Sequence, residues 1–226
     1  MSALVGTLAL GSYEERHGAA LPLDTDIKLA SHVALEAAKR AGAKFLGVVF
    51  SSYELPEIDT GRHQTLEGLI AEVRTRLLEA RSTLGIDAVV LVNGHGGNES
   101  LRARIGTLER ELCMRLSFNN TIVELEGPHA ATGELSMAAA IGIANTSKLA
   151  EHVEFDRHPE VGFVGLRAAR KRYDWAEQHA REVLERGVYV DLFLGEKLLE
   201  CAIADVVNDI RELAGSADPD LRARSS

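Results

Sequence analysis

The residues able to do chemistry in this chain gather in three stretches. The first is Glu14-Glu15-Arg16-His17-Gly18, followed closely by Leu21-Pro22-Leu23-Asp24-Thr25-Asp26. The second is Asn93-Gly94-His95-Gly96-Gly97-Asn98, and the third holds His129 and Glu134. Carboxylates and imidazoles without thiolates are donors for Zn, Fe(II) or Mn(II) rather than for a soft sulfur site. In an extended segment Glu15 and His17 share a face and can grip one ion, or two adjacent ions. As a bare pair they read more readily as a solvated polar loop. Asp24 or Thr25 can cap a helix beginning there, while Asp26 in its first turn can point into a cleft. His95 is the most telling, because glycines flank it directly after an apolar run. A histidine held that way is a poor packing choice, and the glycines permit close approach of backbone to a ligand. His129 alone fits a hydrogen-bonded structural histidine as well as a catalytic one. Glu134 alone fits a first-turn carboxylate favoured by the helix dipole. His63 is equally open, while His32, His152, His158 and His179 show no convergent partners and read as surface or packing residues. The glycine-rich turn is neither a P-loop nor a dinucleotide fingerprint, and no G-x-S-x-G occurs anywhere.

The elements that must position these residues alternate in type. Apolar runs at 3–10, 45–50, 88–92 and 121–125 read as strands. Helical spacing fills 25–40, 66–84 and 98–115, with Gly42 and Gly85 standing where the first two should stop. Further helical patterns lie around 134–143, 175–186 and 195–213. Residues 51–63 form a long polar loop punctuated by Pro56 and Gly61, of a kind that tends to be functional. The alternation predicts an α/β fold: three αβα layers around a central, mainly parallel sheet of about four strands. Such a fold places its ligand beyond the carboxyl ends of the strands, where the three stretches fall. One domain over 1–213 and a frayed polar tail at 214–226 complete the expected organisation.

The chain has 226 residues, of which 46% are hydrophobic and 26% charged, so disorder as the main state is excluded. Its net charge of −9 disfavours nucleic acid and acidic membrane surfaces as partners, though not one small phosphorylated ligand. No apolar run is long enough to span a membrane, and no basic segment precedes the first one. Cys113 and Cys201 are far apart and form no CxxC. The expectation is a cytoplasmic protein with reduced thiols.

E-x-H-G, L-P-L-D-T-D, N-G-H-G-G-N and H-A-x-x-x-E-x-S, in this order between residues 4 and 213, resemble the creatininase family of metal-dependent amidohydrolases. The segments ALGSYEERHGAALPLDTDIKLAS, GAKFLGVV, PEVGFVGLRAAR and LGEKLL extend the likeness. They are similar to those family members that remove formate from a small phosphorylated formylaminopyrimidine. The resemblance implies Glu15 and His95 on one metal ion, His17 on a second, and Asp26 bridging the two. It implies His129 as the catalytic histidine, with Glu134 as the acidic residue near it. It further implies two divalent ions per subunit, Fe(II) favoured and Zn or Mn suitable, and a homo-oligomer. Creatininase itself has a glutamate ligand where this chain has Gly97, which would leave the second ion short of a protein ligand. Creatininase also builds its pocket with tryptophans, whereas Trp175 stands far from these motifs, which argues against creatinine as substrate. Substrate contacts are expected from Arg62, His63, Gly96 and Gly97. For the phosphate, Arg62 comes before Arg16, Lys28 and Arg102. The competing readings are an amidohydrolase of the same family acting on a cyclic amide or peptide, and a non-catalytic metabolite-binding α/β protein.

Overall fold

A computed structural model of the protein describes residues 4–215. In chain order the elements are β1 (Val5–Leu10), α1 (Thr25–Ala41), β2 (Lys44–Val49), α2 (Leu66–Leu84) and β3 (Ala88–Asn93). A 3-10 segment, Gly96–Arg104, leads into α3 (Ile105–Leu112) and β4 (Arg115–Asn119). Then come α4 (Thr121–Glu126), α5 (Thr132–Ala140), α6 (Leu149–His152), α7 (Arg167–Arg172), α8 (Asp174–Arg186) and α9 (Leu192–Gly215). The four strands form one parallel sheet in the order β2-β1-β3-β4.

The central strands β1 and β3 are buried along their whole length, as continuous apolar runs in a parallel sheet should be. Their side chains alternate between two cores. Val5, Ala9, Ala88, Val90 and Val92 face α1 and α9, whereas Leu8, Leu10, Val89 and Leu91 face α2, α3 and the 3-10 segment. Each large aliphatic side chain so buried stabilises the fold by roughly 1.5–3 kcal/mol. The three-layer expectation therefore holds.

Several local expectations do not. The run at 121–125 is the helix α4, and the fourth strand is the preceding segment, Arg115–Asn119. Thr121, Ile122 and Val123 have strand propensity, but Ile122 alone of these is fully buried, and it enters the α1–α9 core from a helix. β4 hides its strand character because it is an edge strand with polar residues. Ser117 Oγ donates to Asp209 (3.0 Å), and Asn119 Nδ2 donates to Asp205 (2.8 Å), both on α9. The helix expected over 98–115 is split and ends at Cys113, whose φ of 48° turns the chain into β4. Neither Asp24 nor Thr25 caps α1 through its side chain. Asp24 instead pairs with Lys28 (2.8 Å), and Thr25 Oγ1 donates to the Pro22 carbonyl (2.6 Å). Of the expected tail, residues 214 and 215 belong to α9, and 216–226 lie outside the described residues. Among the described residues no helix is long and apolar enough to cross a membrane. Cys113 and Cys201 are exposed free thiols.

Candidate active site

The sheet order places its switch point between β1 and β3, whose carboxyl ends carry the first two chemical stretches. After β1 the chain is held extended. Glu15 bridges Gly61, the Arg16 amide donates to the Thr60 carbonyl (2.7 Å), and the Glu15 amide donates to the Leu23 carbonyl (3.1 Å). Glu15 and His17 thereby present their side chains together. Asp26 reaches them from the first turn of α1. Its approach needs Gly94, because a Cβ there would lie 2.7 Å from the Asp26 carbonyl oxygen. Helix α5 brings Glu134 from the far side, and the loop before it brings His129.

Asp26 stands at the centre with one histidine on each oxygen. His95 Nδ1 is 2.9 Å from Asp26 Oδ2 and 2.7 Å from Glu15 Oε2. His17 Nε2 is 2.8 Å from Asp26 Oδ1 and 3.3 Å from Glu134 Oε1. A ring nitrogen can give its one proton to only one oxygen. Glu15 Oε2 and Glu134 Oε1 are accordingly buried without a hydrogen-bond partner. The other ring nitrogens face backbone carbonyls, which only accept: His17 Nδ1 donates to Glu15 O (2.9 Å) and His95 Nε2 to Tyr53 O (3.1 Å). Those bonds leave His17 Nε2 and His95 Nδ1 as lone-pair donors when the rings are neutral, the usual arrangement of metal-ligating histidine. Glu15, Asp26 and His95 form one compact donor set, and His17, Asp26 and Glu134 form another. Orphaned buried carboxylate oxygens and correctly oriented imidazoles fit divalent ions in both sets.

Without such ions protons must compensate the charge. Burial pulls His17 down, but Glu134 and Asp26 outweigh it and raise its pKa to about 10. His95 is likewise raised against burial, by Glu15 and Asp26. Burial would raise Glu15, yet His95 holds it well below the ordinary carboxylate range. Burial raises Glu134 despite His17. A raised folded-state pKa stabilises fully below the ordinary histidine value of 6.5, and the contribution is lost as pH rises toward about 10. Chelator-treated protein is therefore expected to melt at progressively lower temperature across that window, as followed by circular dichroism.

A cavity of about 290 Å³ opens over these groups, lined by Glu15, Asp26, His95, Gly96, Gly97 and His129, among others. His129 stacks on Phe163 (centroids 5.3 Å apart) and donates from Nε2 to the Arg16 carbonyl (2.9 Å). Its Nδ1 faces Glu134 Oε2 at 3.9 Å, and that oxygen accepts from the Ala130 amide (2.6 Å). Gly97 leaves no room for a larger residue. A Cβ there would lie 2.2 Å from Tyr53 O and 2.7 Å from Glu54 Oε1.

The expected substrate contacts divide. Gly96 and Gly97 line the cavity. His63 does not; it stacks on His95 (5.2 Å) and bonds Ser52, bracing the His95 ring from behind. The Arg62 side chain is 86% exposed, lies 3.7 Å from Glu14, and is not part of the cavity wall. Arg16, Lys28 and Arg102 are absent from the wall too. Arg16 faces Asp59 and Glu160, and Arg102 faces Glu99 and Glu124.

Other residues line the cavity unforeseen. Trp175 and His179, one turn apart on α8, join Phe163 as an aromatic wall. Trp175 is thus at the site, and its sequence distance from the motifs does not argue against any substrate. Glu54, on the long polar loop, places Oε2 at 3.4 Å from His95 Nε2, and burial beside Glu15 raises its pKa to about 7. Glu126 stands just before Gly127-Pro128-His129, a turn sequence that could have drawn attention to it. His152 is a packing residue, bonded to the backbone of Ala130 and Ala20.

A pair of histidines and carboxylates sharing one aspartate, at the switch point of a parallel αβα sheet, defines a metallohydrolase-like centre. The sequence signature of the creatininase family, creatinine amidohydrolase, matches residues 3–209, and the chain belongs to that family. It is 46% identical over 209 residues to the 2-amino-5-formylamino-6-ribosylaminopyrimidin-4(3H)-one 5'-monophosphate deformylase of Methanothermus fervidus, covering 92% of this chain and 84% of that protein. The deformylase of the same name from Methanobrevibacter smithii is 45% identical, over 92% and 91%. A crystal structure of creatinine amidohydrolase (creatininase) shares the fold with a TM-score of 0.67 and 17% identity, over 94% of this chain and 91% of that one. A second structure, "Creatininase Mn", gives 0.64 and 18%, over 93% and 91%.

Proposed function

We propose that this chain hydrolyses the formamide of 2-amino-5-formylamino-6-ribosylaminopyrimidin-4(3H)-one 5'-monophosphate, releasing formate and the 5-amino pyrimidine. The observation that carries the reading is the pair of donor sets sharing Asp26, in a chain 46% identical to a deformylase of that substrate. Glu15 and His95 would hold one divalent ion, His17 and Glu134 a second, with Asp26 offering an oxygen to each. Glu134 thereby takes the ligand role that Gly97 lacks and adds it to its contact with His129. Nitrogen and oxygen donors without thiolate suit Fe(II), which we favour, and also Zn or Mn. When bound, such ions supply an activated water and polarise the formyl carbonyl.

The chain's own residues do the rest. Gly96 and Gly97 keep the space beside His95 free of side chains, so the formamide can approach the carboxylates. Water adds to the formyl carbon, the C–N bond breaks, and the departing 5-amino nitrogen takes a proton. His129 lies on the cavity wall to give that proton. Phe163 holds its ring by stacking, and Glu134 lies within 3.9 Å of its Nδ1.

The test is anaerobic incubation of Fe(II)-, Zn- or Mn-loaded protein with the formylamino substrate, measuring formate. Formate from this substrate, and none from creatinine or a dipeptide, is the expected outcome. Opening of a cyclic amide without formate release would move the chain to a sibling activity. Glu134→Gln is expected to reduce bound metal from two ions per chain to one, read by elemental analysis. Two retained ions would remove Glu134 from the ligand set.

A further inference from the structure

We propose that Glu126 reads the 2-amino and N3–H edge of the pyrimidinone, accepting one hydrogen bond on each carboxylate oxygen. This rests on the deformylase reading above and adds a specificity-determining residue to it. Glu126 is the last residue of α4 and only 9% exposed, yet it lines the cavity. Its Oε2 has no hydrogen-bond partner, and no ion pair to it occurs among the described residues. An unpartnered buried carboxylate is costly, so it marks a place where a ligand supplies the donors.

The backbone is built to hold it there. Gly127 turns the chain directly after it at φ 75°, and Gly133 lets α5 close over it. A Cβ on Gly133 would lie 2.1 Å from the Glu126 carbonyl oxygen.

The other carboxylates of the cavity are already engaged. Glu15 and Asp26 belong to the donor sets. Glu54 accepts from the Leu55 amide (2.6 Å) and faces His95. Glu99 is solvent-facing, 3.7 Å from Arg102. Glu126 belongs to neither donor set sharing Asp26. Burial without a partner makes donors from a ligand welcome.

Among the described residues no lysine or arginine lines this cavity. Whatever meets Glu126 must therefore bring its own N–H groups. The substrate ring does so: its 2-amino group and N3–H are adjacent, a fork that a carboxylate accepts in bidentate fashion. Its 4-oxo group is an acceptor and would be repelled, which fixes which edge faces Glu126. The 5-formylamino group lies across the ring from that edge and so points away from Glu126, toward the donor sets. Phe163 and Trp175 offer an aromatic wall for the ring face.

The test compares the natural substrate with an analogue carrying a 2-oxo group in place of the 2-amino group. Wild-type protein is expected to favour the 2-amino substrate. Glu126→Gln offers one acceptor and one donor, which suits N3–H beside a 2-oxo group. It should lower kcat/KM for the 2-amino substrate by about 10- to 100-fold, the range for a hydrogen bond to a charged group. It should also shift preference toward the 2-oxo analogue, with bound metal unchanged. Glu126→Asp, retaining the charge, should keep the wild-type preference. An unchanged substrate ratio in Glu126→Gln overturns the proposal. Calorimetric binding of 2-aminopyrimidin-4(3H)-one against uracil reads the same preference without turnover. If wild type releases no formate yet binds the 2-amino ring in a Glu126-dependent way, the deformylase reading fails and the edge reading stands. If neither protein distinguishes the two rings, the edge reading falls.

Discussion

Replacing His95 by alanine is expected to lower formate release by at least about a thousandfold, because a Lewis acid contributes several kcal/mol to such a step. His95 is the only nitrogen in its donor set, and Glu15 and Asp26 supply the rest. Bound metal should fall with activity, and elemental analysis of the purified variant measures it. A second effect belongs to the metal-free protein. There protonated His95 is the close partner of both Glu15 and Asp26, which are buried. Removing it strands two carboxylates, and breaking a buried pair costs roughly 3–5 kcal/mol. Urea unfolding of chelator-treated wild type and variant reads that loss. A variant that retains full metal and full rate would displace His95 from the centre.

His129→Ala is expected to behave differently: metal retained, turnover reduced by about 10²- to 10⁴-fold, the contribution of a positioned general acid. His129 is in neither donor set sharing Asp26, and its ring is fixed by Phe163 and the Arg16 carbonyl. Near-full rate in the variant would give the proton to another group. Together the two variants separate holding the ion from moving the proton.

Much of the scaffold is legible without coordinates. The apolar runs at β1, β2 and β3 are bounded by polar residues and glycine, and Gly42 and Gly85 end α1 and α2 in the left-handed conformation. β4 and α4 are not legible. Thr-Ile-Val has strand propensity, a weak preference that one buried face in a helix overrides. Arg-Leu-Ser-Phe-Asn lacks an apolar run because its polar side chains are satisfied by Asp205 and Asp209, which arrive from α9.

The site divides along the same line. Spacing alone marks Glu15 and His17 as a pair, Asp26 in a first helical turn, and His95 between glycines. Those are relations between near neighbours, and backbone geometry fixes them. What completes each donor set depends on distant segments meeting. Only packing brings Glu134 Oε1 to His17, or lets Glu54 occupy the space beside Gly97. Arg62 shows the converse: a favourable sequence position whose side chain points to solvent. The sequence by itself determined the layer order and which residue types could hold a metal. The tertiary structure decided which oxygen faces which nitrogen, that Trp175 and His179 wall the cavity, and that Glu126 waits there unpaired. The physical reason is range: helix, strand and turn signals act over a few residues, whereas burial and charge pairing are set by whatever the folded chain places within a few ångströms.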